Sequence, residues 1–282
     1  MLDPIHHECG VAAVYRMGEW PRGDEGAREG RQIISLIPEI LTDLQNRGQL
    51  SAGVSSYNPN RDQVLDTHKD NGTVAEVFRT AIDTKQETLI REYAGRAAIG
   101  HVRYAPCGLA DPSYAQPFER HHGRLWKWFA FCFNGNIANY TECRDKILDR
   151  GDYHLVRETD TEIIMHHLSW ALKGEDKPDF KAIFRHLAET FDGAYTMAFL
   201  SADGDMVIAR DPHGFRPLCW AVKGDLFAAA SESHPLERLN FGRIRNGEPG
   251  TFVHVRPDGC KTVELFDEPP KKKSYCFFEW VY

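Results

Sequence analysis

The sequence predicts an α+β fold built mainly on antiparallel sheet. Strand-like runs open the chain, helical patterns fill its middle, and short strands separated by turns return toward its end. That order differs from the strict strand–helix alternation of a parallel sheet. No GxGxxG follows a strand and no phosphate-binding P-loop is present, so the usual nucleotide signatures of parallel folds are missing as well. At 282 residues, 42% hydrophobic and 27% charged, the chain can bury a sizeable core.

The elements follow from pattern. Residues 10–16 are a mostly apolar run and read as a first strand. Residues 18–30, rich in glycine and charge, read as a loop. Ile33, Ile34, Leu36, Ile37, Ile40, Leu41 and Leu44 then recur at helical spacing despite Pro38. This helix is expected to end near Asn46-Arg47-Gly48, with the glycine as a left-handed cap. Residues 52–57 and 63–68 flank Asn58-Pro59-Asn60 and read as a hairpin. Residues 97–103 form a strand that runs into a Pro/Gly-rich loop, 105–117. An aromatic-rich strand, 125–133, is expected to stop at Asn134-Gly135, a common turn pair. Helical patterns cover about 139–150, 160–173 and 179–190, and strands 194–200, 205–210, 217–222, 226–230 and 251–256. Residues 267–273 read as a linker, and the apolar stretch 275–282 as the start of a following domain.

Composition excludes several functions. A net charge of −7 and a pI near 6.0 argue against a general nucleic-acid binder. No apolar run approaches the ~20 residues of a membrane span. The first eight residues contain Asp3 and Glu8 and no hydrophobic core, so they are not a secretory signal, and a cytoplasmic location is expected. The seven cysteines are scattered, odd in number and form no CxxC; with no HExxH and only adjacent histidine pairs, neither a disulfide framework nor a metal site is indicated.

The chemistry-bearing residues stand where strands or helices begin and end: Cys9, Arg47, Arg103-Tyr104, Asn134-Gly135 and Asp160. Each has an ordinary structural reading. Cys9 could be a small buried hydrophobe, Arg47 a charge at a helix C-terminus, Arg103 the partner of any carboxylate, Asn134-Gly135 a turn, and Asp160 an N-cap.

Taken together and in order, they resemble one family. Glu-Cys-Gly-Val (8–11), Leu-Gln-Asn-Arg-Gly-Gln (44–49) with Ala-Gly (52–53), and Gly-His-Val-Arg-Tyr (100–104) come first. Ala-Gln-Pro-Phe (115–118), Asn-Gly-Asn (134–136) and Asp-Thr-Glu (160–162) follow, then Gly-Ala-Tyr (193–195), Asp-Pro-His-Gly-Phe-Arg-Pro-Leu (211–218) and Ala-Ser-Glu (230–232). These resemble the glutaminase domain of class II glutamine amidotransferases, which are N-terminal-nucleophile hydrolases. The amidophosphoribosyltransferase branch of purine synthesis is the nearest. The resemblance implies a four-layer α-β-β-α sandwich over residues 9–266. It implies Cys9 as nucleophile toward the side-chain amide of glutamine, with its own α-amine as base; an α-amine titrates near ~7.7–8.0, and an amide nitrogen cannot serve. It assigns Asn134 and the Gly135 N–H to the oxyanion, Arg103 to the substrate α-carboxylate, Asp160 to its α-ammonium, Arg47 to support of Cys9, and Tyr104 to a loop closing over glutamine. Residues 1–8 are then a propeptide cut at Glu8–Cys9.

The resemblance further implies a phosphoribosyltransferase domain or subunit as partner, with Mg²⁺ there only, and a homo-oligomeric full enzyme. No cofactor is expected for residues 9–266. Cys276 aligns with an iron–sulfur ligand of some relatives, but one cysteine supports no cluster. Phe133 replaces the family's usual histidine before Asn-Gly, and Pro106 its usual threonine. Competing readings are a non-catalytic binding module that keeps the fold, a glutaminase serving another acceptor, and an N-terminal-cysteine hydrolase of a different amide.

Overall fold

The computed structural model describes residues 9–104, 111–268 and Ser274. In chain order the strands are β1 (Gly10–Arg16), β2 (Ser51–Tyr57), β3 (Leu65–Asn71), β4 (Ala97–Arg103), β5 (Phe118–Arg120), β6 (Phe129–Ile137), β7 (Gly193–Ser201), β8 (Met206–Arg210), β9 (Cys219–Lys223), β10 (Leu226–Ala230), β11 (Arg245–Asn246), β12 (Thr251–Arg256) and β13 (Gly259–Glu264). The helices are α1 (Gly23–Asp43), α2 (Val74–Val77), α3 (Asp83–Glu92), α4 (Tyr140–Leu148), α5 (Asp160–Ala171), α6 (Phe180–Thr190) and α7 (His234–Arg238).

The strands form two antiparallel sheets, ordered β11-β9-β10-β1-β4-β2-β3 and β13-β12-β8-β7-β6-β5. The expected α+β sandwich is what forms, and its side chains show why. Ala12 and Val14 of β1 pack under α1, whereas Val11, Ala13 and Tyr15 face the second sheet. Both faces are covered, so β1 reads as a continuous apolar run instead of an alternating one. On β6, Phe129, Phe131 and Phe133 point out to α4, α5 and α6, while Ala130 and Cys132 point inward between the sheets. On this strand large rings thus fill the helix-facing layer, where burying each is worth roughly 1.5–3 kcal/mol, and small residues let the facing sheet approach β6.

Several expectations are corrected. Residues 23–30 are helical and not loop, because Gly26 and Gly30 are buried within α1 as it starts across the sheet. Gly48 is extended (φ −170°), not left-handed; α1 ends at Asp43 with Leu44 as its C-cap, and a single 3₁₀ turn, Gln45–Arg47, follows. A Cβ on Gly48 would lie 2.5 Å from the Arg103 carbonyl carbon, so the glycine serves close approach of two backbone segments. Asn134-Gly135 is not a turn. β6 runs through both residues, held by pairing with β7 as far as Ile137 opposite Gly193. Residues 125–127 form a 3₁₀ turn before that strand. The propeptide, Pro106, Cys276, residues 269–273 and the 275–282 stretch lie outside the described residues.

Candidate active site

Strand alternation assembles the site. Odd-numbered residues of β1 and β4 face the second sheet, as Val11, Ala13, Ala97 and Ile99 do. That parity carries Cys9, His101 and Arg103 to the same inner face. On β6 the inward parity is even, so Asn134 continues the row Ala130, Cys132. Where the small core ends, a cleft of about 390 Å³ opens. It is lined by Cys9, Arg103, Tyr104, Asn134, Gly135 and Asp160, together with Tyr114, Gln116 and Asn136. Its volume suits a metabolite-sized ligand. Six of the seven sequence-selected residues therefore share one cleft.

Arg47, the seventh, stands behind Cys9. It is 2% exposed; its Nε donates to the Cys9 carbonyl at 2.9 Å and its Nη1 to Glu232 Oε1 at 2.8 Å. Burial comes first among the influences on the Cys9 thiol and pushes its pKa up. The Tyr104 backbone and the charges of Arg103, Arg216 and Arg47 pull it down. The Cys9 Sγ contacts the Tyr104 carbonyl at 3.7 Å. A thiol held up by burial needs a base close by to react.

The outer edge of β6 shows how donors become available. β5 pairs only as far as Phe118 opposite Phe131. Beyond it, side chains replace the missing strand. Gln116 Oε1 accepts from the Phe133 N–H at 2.7 Å and its Nε2 donates to the Phe133 carbonyl at 3.2 Å. Two residues on, the Ile137 N–H donates to Asp160 Oδ2 at 3.0 Å. Gly135 lies between them, and alternation turns its N–H to this same edge, toward the cleft. A Cβ there would lie 2.2 Å from the Ala194 carbonyl, so only glycine keeps this strand in place. Beside it, the Asn134 side chain is 1% exposed, and both its amide atoms are buried without a hydrogen-bond partner. A buried unpaired amide costs about 1–3 kcal/mol.

Across the cleft, Arg103 forms no ion pair among the described residues; its guanidinium lies 5.5 Å from the Tyr114 ring centroid. Asp160 opens α5, with Thr159 and not Asp160 as the N-cap. Burial raises the Asp160 carboxyl pKa, and the Ile137 N–H offsets this in part. A cation and an acid thus face one cavity, each open to a ligand of opposite charge.

Residues 101–238 match the family model described as a glutamine amidotransferase domain. Over these residues the chain carries a glutamine amidotransferase domain. The chain is 30% identical over 280 residues to the amidophosphoribosyltransferase of Methanothermobacter thermautotrophicus, covering 99% of this chain and 53% of that protein. It is 32% identical over 276 residues to the amidophosphoribosyltransferase of Archaeoglobus fulgidus, covering 97% and 53%. Among solved structures, the glutamine phosphoribosylpyrophosphate amidotransferase of B. subtilis, complexed with ADP and GMP, superposes with a TM-score of 0.76 at 25% identity, over 97% of this chain and 52% of that one. The fold is the N-terminal-nucleophile hydrolase fold that the resemblance implied. The chain spans about half the length of the curated relatives it matches.

The amidotransferase domain also uses residues that the sequence reading did not single out. Glu232 anchors Arg47, and Gln116 caps the β6 edge. Asp211 is fully buried and accepts from the N–H groups of Tyr195, His213 and Phe215, which folds residues 211–216 so that Arg216 lies within reach of the Cys9 charge. All of these stand in the matched segments, where a partner search for each buried charge could have found them. Tyr114 carries no such signal. Among the described residues no group of three His, Cys, Asp or Glu side chains could hold a metal, and no helix is long and apolar enough to cross a membrane.

Proposed function

We propose that the chain is the glutaminase half of an amidophosphoribosyltransferase-like enzyme, with residues 9–266 as its glutaminase domain and Cys9 as its first residue after removal of 1–8. The observation that carries this reading is the buried, unpartnered Asn134 amide beside Cys9, in a cleft with Arg103 on one wall and Asp160 on the other.

The Cys9 α-amine takes the thiol proton, and the thiolate attacks the side-chain carbonyl carbon of glutamine. Asn134 Nδ2 and the Gly135 N–H donate to the oxyanion, each such donor being worth about 2.7–4 kcal/mol in the transition state. The amine returns the proton to the departing nitrogen, releasing ammonia and leaving a thioester. Water then attacks the thioester, giving glutamate and the free thiol. Arg103 pairs with the substrate α-carboxylate, Asp160 with its α-ammonium, and Tyr104 borders the entrance. Arg47 fixes the Cys9 carbonyl, and with it the direction of the thiol.

The named activity of the relatives supports phosphoribosyl diphosphate as the ammonia acceptor, on a phosphoribosyltransferase domain or subunit joined to this chain. Glutamate and ammonia released in equal amounts from L-glutamine is the expected result. Absence of release from a preparation that starts at Cys9 would leave the non-catalytic module as the reading.

A further inference from the structure

One buried polar residue has no part in the steps above. His101 lies on the inner face of β4 with no exposed surface, and its Nε2 is 3.2 Å from the carbonyl oxygen of Phe133 on the opposite sheet. A carbonyl only accepts, so Nε2 carries the proton. Burial pulls the His101 pKa down to about 3, so the ring is neutral and Nδ1 is bare. Nδ1 is also buried and has no partner.

As a stabilising element this is a poor choice. An apolar side chain would fill the same space without stranding a ring nitrogen. Nor is His101 required to satisfy Phe133, whose carbonyl already accepts from Gln116 Nε2 at 3.2 Å. The second donor adds direction. Gln116 holds the carbonyl from the edge of the sheet, and His101 holds it from the facing sheet. Two donors from different directions fix the plane of the Phe133–Asn134 peptide, the unit from which the Asn134 side chain and then the Gly135 N–H project. His101 also stands two residues before Arg103 on the same face of β4. One strand therefore sets both the carboxylate anchor and the peptide that carries the oxyanion donors.

We propose that His101 is a positioning residue for the glutaminase reaction, aligning Asn134 and Gly135 through the Phe133 carbonyl; the proposal rests on the glutaminase reading given above. The test separates reach from polarity. In His101→Gln the side-chain amide nitrogen extends as far as Nε2, whereas in His101→Asn it falls short; His101→Leu removes the donor. In the preparation that begins at Cys9, His101→Gln should keep kcat within about three-fold of the parent. The Asn and Leu variants should lose at least about ten-fold in kcat, with KM for glutamine changed less than about two-fold, because the loss is confined to the transition state. Equal losses in Gln and Asn, a loss carried by KM, or no loss in Leu would overturn the proposal.

A measurement without any variant covers the case in which these proteins fail to fold. Imidazole ¹⁵N shifts of the parent should show Nε2 protonated and Nδ1 bare at neutral pH, and the reverse tautomer would also overturn it. A parent with no glutaminase activity contradicts the functional reading, whereas an active parent indifferent to position 101 contradicts this inference alone.

Discussion

Arg47 donates from its Nε to the backbone carbonyl of Cys9 at 2.9 Å while its Nη1 is paired with Glu232 at 2.8 Å. A buried guanidinium thus fixes the main chain of the residue proposed to react, without standing in the cleft itself. Arg47→Met keeps most of the volume and removes both contacts. It should cost about 3 kcal/mol of stability, the lower end for breaking a buried pair, because Glu232 keeps access to water. It should also lower kcat more than stability loss explains at temperatures where the variant remains folded. Denaturant titration beside initial rates checks both, and an unchanged kcat would remove Arg47 from the account.

Asn134 sets stability against activity. Its amide is buried and unpaired, so Asn134→Leu exchanges a desolvated polar group for an apolar one of similar shape. The variant should be as stable as the parent or about 1 kcal/mol more stable. Its kcat should fall about 10²–10³-fold, as for loss of one oxyanion donor, with KM little changed. Thermal melts and steady-state kinetics on the same samples decide this. A destabilised but active variant would mean that the amide is structural.

Arg103 and Asp160 should act on substrate binding. Asp160→Asn keeps an oxygen for the Ile137 N–H, so β6 is retained, but the negative charge is lost. Loss of a charge-assisted contact of about 1.5–3 kcal/mol corresponds to a rise in KM of roughly 10–150-fold. Arg103→Ala should raise KM at least as much, since a bidentate pair is lost. If glutamine is the substrate, the same variants should affect a substrate lacking the α-amino or α-carboxyl group far less. Equal effects on all of these substrates would contradict the zwitterion assignment.

Acid should weaken the fold through α5. His167 is buried against Trp170, Phe191 and His186, and burial, then the neighbouring charges of His186, Arg150, His166 and Lys146, pull its pKa down to about 4. The ordinary histidine value is ~6.5. Between these values the unfolded chain binds the proton and the folded chain does not, so stability is full above about pH 6.5 and falls as pH drops toward 4. His167→Phe should flatten that slope by up to one proton. Denaturant titrations at pH 7 and pH 5 measure it, and equal slopes in parent and variant would contradict the assignment.

Much of this was legible because the chemistry sits at element ends. The parity of β6 is written in its residue sizes, rings outward and small residues inward, and it sends Asn134 inward; β1 is apolar on both faces, so the direction of Cys9 is not legible in the same way. Asn134-Gly135 misled because local turn preference was overridden by pairing with β7, a contact about sixty residues away in sequence that no local pattern reports. Residues 23–30 misled for a related reason: tertiary packing buries Gly26 and Gly30 in a helix that their propensity disfavours. The short α2 was readable and missed; Thr73 and Glu76 form a capping box, with the Thr73 N–H donating to the Glu76 carboxylate at 2.7 Å. Tyr114 and the reach of Arg216 to Cys9 depend on loop paths, which a sequence does not show.

The central claim is that Cys9 reacts with its own α-amine as base. Intact-mass analysis and a glutaminase rate on the same preparation test it most directly. Glutamate release should appear only in protein whose mass corresponds to a chain beginning at Cys9. A preparation that retains all eight preceding residues and still hydrolyses glutamine would contradict it.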